Sequence, residues 1–338
     1  MPFALATTTI EEQEKFLWSG YTRADIDDVY DLFQRVNRAD NADHNQSVQD
    51  LTKQYADSWF NPLTDARVIR NARGELVAFA RVLVNPKPTY ENVAFLECDI
   101  APEARGQDLD EDLLEWMQAN ARHRLAQTAA LAADETVRTV MRAPVPAAQT
   151  QTIALYNAHG FEQVRAFYKM QRDLREPIPD APLPEGFALR VYDADIDEKL
   201  FRAFNESFGD HWGFHPLTRA EWEQRIIGDS ALRRDLSFVV MTDENVAAFC
   251  LNCERAVENE RLGIRRGWTT KLGTRRAWRK RGLATFLLAE SMRQFRAQGF
   301  DYAGLGVDAT NLTGALALYE GLGYRAYKTR YALEKLVR

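Results

Sequence analysis

The chain has few cysteines, no long apolar run and no excess of positive charge. Three cysteines in 338 residues exclude a disulfide-built scaffold. Cys250 and Cys253 do stand as C-x-x-C, inside the strand-like run "VAAFCLNCERA". Positions three apart in a strand point to opposite faces, so the pair reads as structural thiols of a reduced compartment and no metal site is expected. No apolar stretch reaches the length of a membrane span. The start "MPFALATTTIEEQEKF" lacks a charged segment ahead of an apolar core, so no signal peptide is read and a cytoplasmic location is expected. A net charge of −6 argues against a nucleic-acid surface.

What the chain does have is a copy of itself. "ADID" occurs at Ala24–Asp27 and at Ala194–Asp197, 170 residues apart. The helix-start signatures "SVQD" (Ser47–Asp50) and "TRAE" (Thr218–Glu221) are 171 apart, and "VAF" (Val77–Phe79) precedes "AAF" (Ala247–Phe249) by 170. Leu113–Leu114 match Leu287–Leu288, and "ALYNAHGF" (Ala154–Phe161) matches "ALYEGLGY" (Ala317–Tyr324). Five matches in one order, with offsets that drift by small insertions, indicate two copies of one fold. The seam is "REPIPDAPLPEG", whose four prolines suit neither a helix nor a central strand. Residues 1–176 are expected to form an N-terminal domain, 177–186 a linker and 187–338 a C-terminal domain.

Each copy reads as a strand ("FLWSGY"; "FALRVY"), a helix near "ADID" and a second helix at the capping signature. A hairpin follows, turning at Asn71–Gly74 or Asp243–Asn245. Next come a long strand, an arginine-led turn and an amphipathic helix marked by Leu109, Leu113 and Met117, or by Leu283, Leu287, Leu288, Met292 and Phe295. A strand, a helix with the A-L-Y motif and a last strand close the copy. The pattern implies an α/β (α+β) layer fold with a mixed sheet.

The arginine-led turns differ between copies. The second reads "RKRGLA" (Arg279–Ala284) and the first "RGQDLD" (Arg105–Asp110). A glycine turn opening a helix presents backbone N–H groups suited to phosphate, although a tight turn with a solvated basic patch fits the same residues. After the second turn come a strand and N-x-x-x-A-L-x-L-Y-x-x-x-G-Y, with Asn311, Ala315, Leu318, Tyr319, Gly323 and Tyr324. This ordered set resembles the GNAT superfamily of N-acetyltransferases. The doubled architecture, with "FNESFGDHWGF" early in copy two, resembles its tandem-domain type, which includes mycothiol synthase.

The resemblance implies two tandem GNAT-like domains, each a mixed, mostly antiparallel sheet flanked by helices, and acetyl-CoA as co-substrate. It implies that Leu272, Gly273 and Thr274 bind the pantetheine arm through backbone and polarise the thioester. Arg279, Lys280, Arg281, Gly282, Leu283, Ala284 and Thr285 would hold the pyrophosphate, with Asn311 and Ala315 completing the site. Tyr319 matches the general acid that protonates the departing thiolate, and an apolar-stripe tyrosine in the core fits the same position. The acceptor would be a small-molecule primary amine, with neither nucleic acid nor membrane as partner and with a monomer or homodimer as the assembly.

An amine with a pKa of about 10.4 must lose a proton to attack. The strand "GWTTKLGT" offers no carboxylate for that. Glu254, Glu258, Glu260, Asp308, His211 and His215 are candidates. His211, Trp212, His215 and Glu254 are expected at the acceptor; a packed aromatic cluster fits the first three equally, and Asp308 fits a turn cap. In copy one, Asp108 and Asp110 replace the small residues. Like charges about 4 Å apart repel by about 1 kcal/mol in water and about 4 near a protein surface. Copy one is therefore expected not to take acetyl-CoA. A non-catalytic acyl-CoA-binding protein and a protein N-acetyltransferase are the alternatives.

Overall fold

The polar turns between apolar runs form hairpins in a computed structural model of the chain. It describes residues 15–337 except 43, 58–59, 86–87, 89–90, 130–136 and 311–313. The chain divides into two compact units, 1–86 with 94–127 and 87–93 with 128–338.

The first unit holds β1 (Phe16–Ser19), α1 (Ile26–Asp40), α2 (Val48–Tyr55), α3 (Pro62–Asp65), β2 (Ala66–Asn71), β3 (Leu76–Val84), most of β4 (Glu91–Ile100) and most of α4 (Leu109–Ala129). Its strands pair antiparallel in the order β1-β2-β3-β4. Ser47 and Asp50 form a reciprocal capping box at α2. Val29, Leu32, Phe33 and Val36 make the buried stripe of α1. On α4, Leu109, Leu113 and Met117 are buried, as their spacing requires.

The second unit holds β5 (Arg138–Pro146), α5 (Thr150–Ala158), β6 (Glu162–Asp173), β7 (Ala188–Val191), α6 (Asp197–Phe208), α7 (Arg219–Trp222), β8 (Phe238–Thr242), β9 (Asn245–Glu254), α8 (Ala256–Leu262), β10 (Arg266–Thr274), α9 (Leu283–Ala297), β11 (Tyr302–Asp308), α10 (Ala315–Gly321) and β12 (Arg325–Leu336). Its sheet runs β5-β12-β6-β11-β10-β9-β8-β7. Thr218 and Glu221 repeat the capping box at α7. Residues 177–184 form neither helix nor strand. The short helix α8, closed by Gly263 at φ 62°, is an element the sequence pattern did not reveal.

That sheet order carries an exchange. β6, the last strand of the first repeat, pairs with β11 of the second. β12, the last strand of the second repeat, lies between β5 and β6. The compact units therefore do not follow the boundary of the sequence repeat: the repeat marks two similar copies, whereas compactness follows the pairing of their exchanged closing strands.

One ion cluster fastens the exchanged strand. Glu334 of β12 is buried and accepts from Arg142 Nε at 2.5 Å and from Arg138 Nη2 at 2.6 Å. Glu91 bonds each of the same arginines at 2.9 Å. Removing one partner of a buried pair leaves an uncompensated charge. Glu334→Ala is expected to destabilise the protein by about 3 kcal/mol or more. Denaturant unfolding checks this; a loss below about 1 kcal/mol would mean that the cluster does not hold the strand.

Candidate functional site

β10 and β11 run parallel but pair only from Arg266–Tyr302 to Thr269–Leu305. Beyond that point β10 stays with β9 through Thr274–Ala248, and β11 stays with β6 through Asp308–Phe167. A bulge between Thr269 and Lys271 redirects β10 where the two part. Thr269, the last paired residue, donates to Asn252 Oδ1 at 2.8 Å, and Asn252 donates to Ser291 of α9 at 2.8 Å. The result is a wedge, with backbone N–H and C=O groups of β10 turned away from β9 towards it.

The predicted pantetheine strand residues, Leu272, Gly273 and Thr274, line this diverging edge. Gly273 has a packing reason to be glycine: a Cβ there would lie 2.3 Å from Phe249 Cζ. Leu272 packs into the same apolar cluster as Leu305, Val307 and Tyr319, under both arms of the wedge. Tyr319 is buried, its ring 6.2 Å from that of Tyr324. Burial pushes its phenol up to about 12, so it carries its proton at neutral pH.

The turn after β10 leads into α9. Lys280 and Gly282 take positive φ, 60° and 80°, and Gly282 is the N-cap. No side chain caps this helix, so the first-turn amides at Leu283, Ala284 and Thr285 are left for a ligand or solvent. A Cβ on Gly282 would meet nothing within 4 Å, which leaves the approach open. Lys280 and Arg281 are exposed at the same end. Arg279 is used differently from the sequence expectation. Its Nε donates to Thr274 O at 3.1 Å and its Nη1 to Asp210 Oδ2 at 2.7 Å. Hydrogen bonds from Arg276 and Arg279 lower the Asp210 carboxyl to about 2. The guanidinium therefore ties the turn to the end of α6. Ala315 opens α10 beside the turn residue Gly314, and Asn311 lies outside the described residues.

Within the first unit the same tie recurs. Arg105 Nε donates to Ile100 O at 3.1 Å, and its Nη groups bond Asp40 at 2.8 and 2.7 Å. Gly106 and Asp108 both take φ 68°, as Lys280 and Gly282 do in kind. Aspartate is among the few side chains that tolerate this region. Gly106 N–H donates to the Asp110 carboxylate at 3.4 Å. That carboxylate thus sits against a loop amide.

The acceptor candidates do not converge. His211 stacks on Phe208 at 4.4 Å, and its Nδ1 is buried without a hydrogen-bond partner. Burial lowers its pKa, while Arg279 and Asp308 lie close enough to act on it. Trp212 faces Arg142 at 3.9 Å, and His215 Nε2 lies 3.8 Å from Glu221. Glu254 is held by Arg233 and Arg265 where β9 pairs with Gly267, at the closed end of β10, and Arg265 first among them lowers its pKa. Glu258 is buried and accepts from Trp268 Nε1 at 2.9 Å, whereas Glu260 is exposed. Asp308 caps the turn by accepting from Thr310 N at 2.9 Å. Cys250 and Cys253 reach different partners, Ser291 at 3.3 Å and Thr270 at 3.5 Å. Sequence reasoning passed over Lys271, on the wedge strand, whose pKa burial lowers. Its signal was a lone lysine in the otherwise apolar and hydroxyl-bearing run "GWTTKLGT".

Because Gly273 lies against Phe249, Gly273→Ala is expected to cost about 1–3 kcal/mol by overpacking. Combination with Phe249→Leu should cost less than the sum of the two changes, as thermal denaturation of all four proteins would show. Strict additivity would mean that the contact does not constrain the strand.

Residues 197–324 match the acetyltransferase (GNAT) family. Over 173 residues, 48% of this chain and 53% of the relative, the sequence is 32% identical to mycothiol acetyltransferase of Salinispora tropica. The chain thus spans about half the length of that relative. A GCN5-related N-acetyltransferase from Sphaerobacter thermophilus superposes with a TM-score of 0.74 at 24% identity, covering 96% of both chains. A tandem GNAT protein from the clavulanic acid biosynthesis pathway does so at 0.63 and 14% identity, covering 95% of this chain and 98% of that one. At these identities the structures share the fold, the tandem mixed-sheet α/β fold expected from the sequence. No described helix is long and apolar enough to cross a membrane.

Proposed function

We propose, on the premise that this chain belongs to the GNAT acetyltransferase family through residues 197–324, that it transfers an acetyl group from acetyl-CoA to a primary amine of a small molecule. The observation that carries this reading is the wedge beyond Thr269–Leu305, with an uncapped helix N-terminus at its open end and Tyr319 packed beneath it. The β10 edge at Leu272, Gly273 and Thr274 offers backbone donors to an amide-bearing arm and to a developing oxyanion. The amides from Arg281 to Thr285 offer an anion cradle, completed by the charges of Lys280 and Arg281.

Acetyl-CoA supplies an activated acetyl thioester. The chain supplies position and proton traffic. Tyr319 keeps its phenolic proton across the neutral range and donates it to the departing sulfur. His211 accepts the proton of the attacking amine: its lowered pKa keeps the imidazole neutral at pH 7, and its Nδ1 is unengaged. The match to mycothiol acetyltransferase favours a small metabolite over a protein as acceptor.

Tyr319→Phe is expected to reduce kcat about 100-fold or more while leaving acetyl-CoA affinity within threefold. For His211, the folded pKa lies below the ordinary value of about 6.5, so the acid limb of kcat/KM should fall below pH 6.5 and disappear in His211→Asn. Stopped acetyl transfer and calorimetric binding distinguish the outcomes. Full turnover in Tyr319→Phe removes the acid role. Acetyl-CoA binding without turnover on any amine would leave a binding protein.

We further assign acetyl-CoA to the second repeat alone, with 1–176 as a degenerate N-terminal repeat, 177–186 as linker and 187–338 as the catalytic repeat. Full-length protein should bind about one acetyl-CoA per chain. Gly282→Asp with Ala284→Asp, which copies the first turn into the second, should weaken binding about 100-fold or more. A stoichiometry of two, or unchanged affinity in that variant, would overturn the assignment.

A further inference from the structure

The polar side chains at the head of the wedge stand where the first repeat is apolar. Counted from the matched Phe79 and Phe249, β3 has Ala80 and Val82 where β9 has Cys250 and Asn252. Leu96 of β4 lies opposite Val82, as Thr269 of β10 lies opposite Asn252. Counted from the matched Leu113 and Leu287, α4 has Met117 where α9 has Ser291. Ala80, Val82, Leu96 and Met117 are all buried. Cys250, Asn252, Thr269 and Ser291 are buried as well, yet each brings a hydrogen-bonding atom.

Asn252 is the hub of the second set. Its Oδ1 accepts from Thr269 Oγ1 at 2.8 Å and from Cys250 Sγ at 3.4 Å. Its Nδ2 donates to Ser291 Oγ at 2.8 Å and to Leu236 O at 2.6 Å. A carboxamide has two N–H donors and two acceptor positions, and all are used. Exchanging hydrogen-bonded partners for apolar groups of similar shape need cost little stability, and the first repeat fills this place with apolar groups. Stability alone therefore does not call for the network.

The repeats differ at the same place in the length of the strand. Leu96 and Cys98, which pair with Val82 and Ala80, have one residue between them. Thr269 and Leu272, which pair with Asn252 and Cys250, have two, Thr270 and Lys271, and the bulge lies there. Thr269 and Leu272 nevertheless both face α9. Thr269 is tied through Asn252 to Ser291, and Leu272 packs with Leu283 and Leu287. Side chains and amides alternate in direction along a strand. A slip that released the extra residue would reverse both from Leu272 onward, turning to β9 the groups now open to the wedge. Apolar side chains can slide past one another, whereas a fully satisfied polar network specifies one arrangement.

We propose that Thr269 and Asn252 are positioning residues for acetyl transfer: their hydrogen bond, tied to α9 through Ser291, holds the extra residue of β10 in one register and keeps the same backbone groups of Leu272–Thr274 turned to acetyl-CoA. This rests on the acetyl-transfer reading. The test compares Thr269→Val, which removes the hydroxyl at nearly constant shape, with Thr269→Ser, which keeps it, in the full-length protein. Thr269→Val should lower kcat tenfold or more with KM for acetyl-CoA changed less than threefold. Without CoA, its β10 amides from 270 to 274 should exchange with deuterium tenfold or more faster. Thr269→Ser should stay within threefold of the unaltered protein in both measurements. Ser291→Ala, at the α9 end of the network, should repeat the faster exchange if Thr269→Val folds poorly. A merely structural network would lower the melting temperature and leave kcat of the folded fraction unchanged. That result overturns the proposal, as does unaltered β10 exchange in Thr269→Val and Ser291→Ala, or a Thr269→Ser variant as impaired as Thr269→Val. If the unaltered protein transfers acetyl to no amine, the acetyl-transfer reading fails, and the CoA-free exchange still decides whether the network holds the register.

Discussion

The candidate site depends on one strand pair that stops pairing. β10 is held along its far edge by β9, and β11 along its far edge by β6, so neither can follow the other after Thr269 and Leu305. The bulge at Thr269/Lys271 turns β10 aside, and the Thr269–Asn252–Ser291 chain fixes where the turn happens. Backbone groups inside a protein need partners. A gap between two held strands therefore leaves a row of them for a ligand without unfolding anything. Tyr319, Leu272 and Val307 then form a packed base beneath a gap whose walls are set from outside.

One of those walls belongs to the other repeat. β6 closes the first copy in sequence yet forms the outer support of β11. β12, in return, is clamped between β5 and β6 by the Glu334–Arg142–Arg138–Glu91 cluster. The closing strand of one repeat thus supports a strand of the other. This gives the first copy a physical reason to persist beside the second.

The two arginine-led turns show how a motif separates into parts. Arg105 and Arg279 make the same pair of bonds, to the carbonyl five residues earlier and to an aspartate at or just beyond the end of the first helix of each repeat. That half of the motif belongs to the fold. The other positions differ: Gly282 has open space in front of it, whereas Asp110 reaches back to the amide of Gly106. Asp108 is tolerated because its backbone conformation is one that aspartate can adopt.

The amino-acid sequence by itself determined the local elements, since capping boxes, hairpin turns and the Leu109–Leu113–Met117 and Leu283–Leu287 stripes act over a few residues. It also determined the repeat and the match of residues 197–324 to the GNAT acetyltransferase family, because both are patterns of order along the chain. Helix α8 escaped because its seven residues are too short to show a period. Tertiary structure decided the exchange of β6 and β12, which depends on which strand edges meet and not on any single strand's composition. It decided that Arg279 serves the scaffold and that Glu254 stands at the closed end of β10. Residues far apart in sequence become neighbours only when strand register and packing set them side by side.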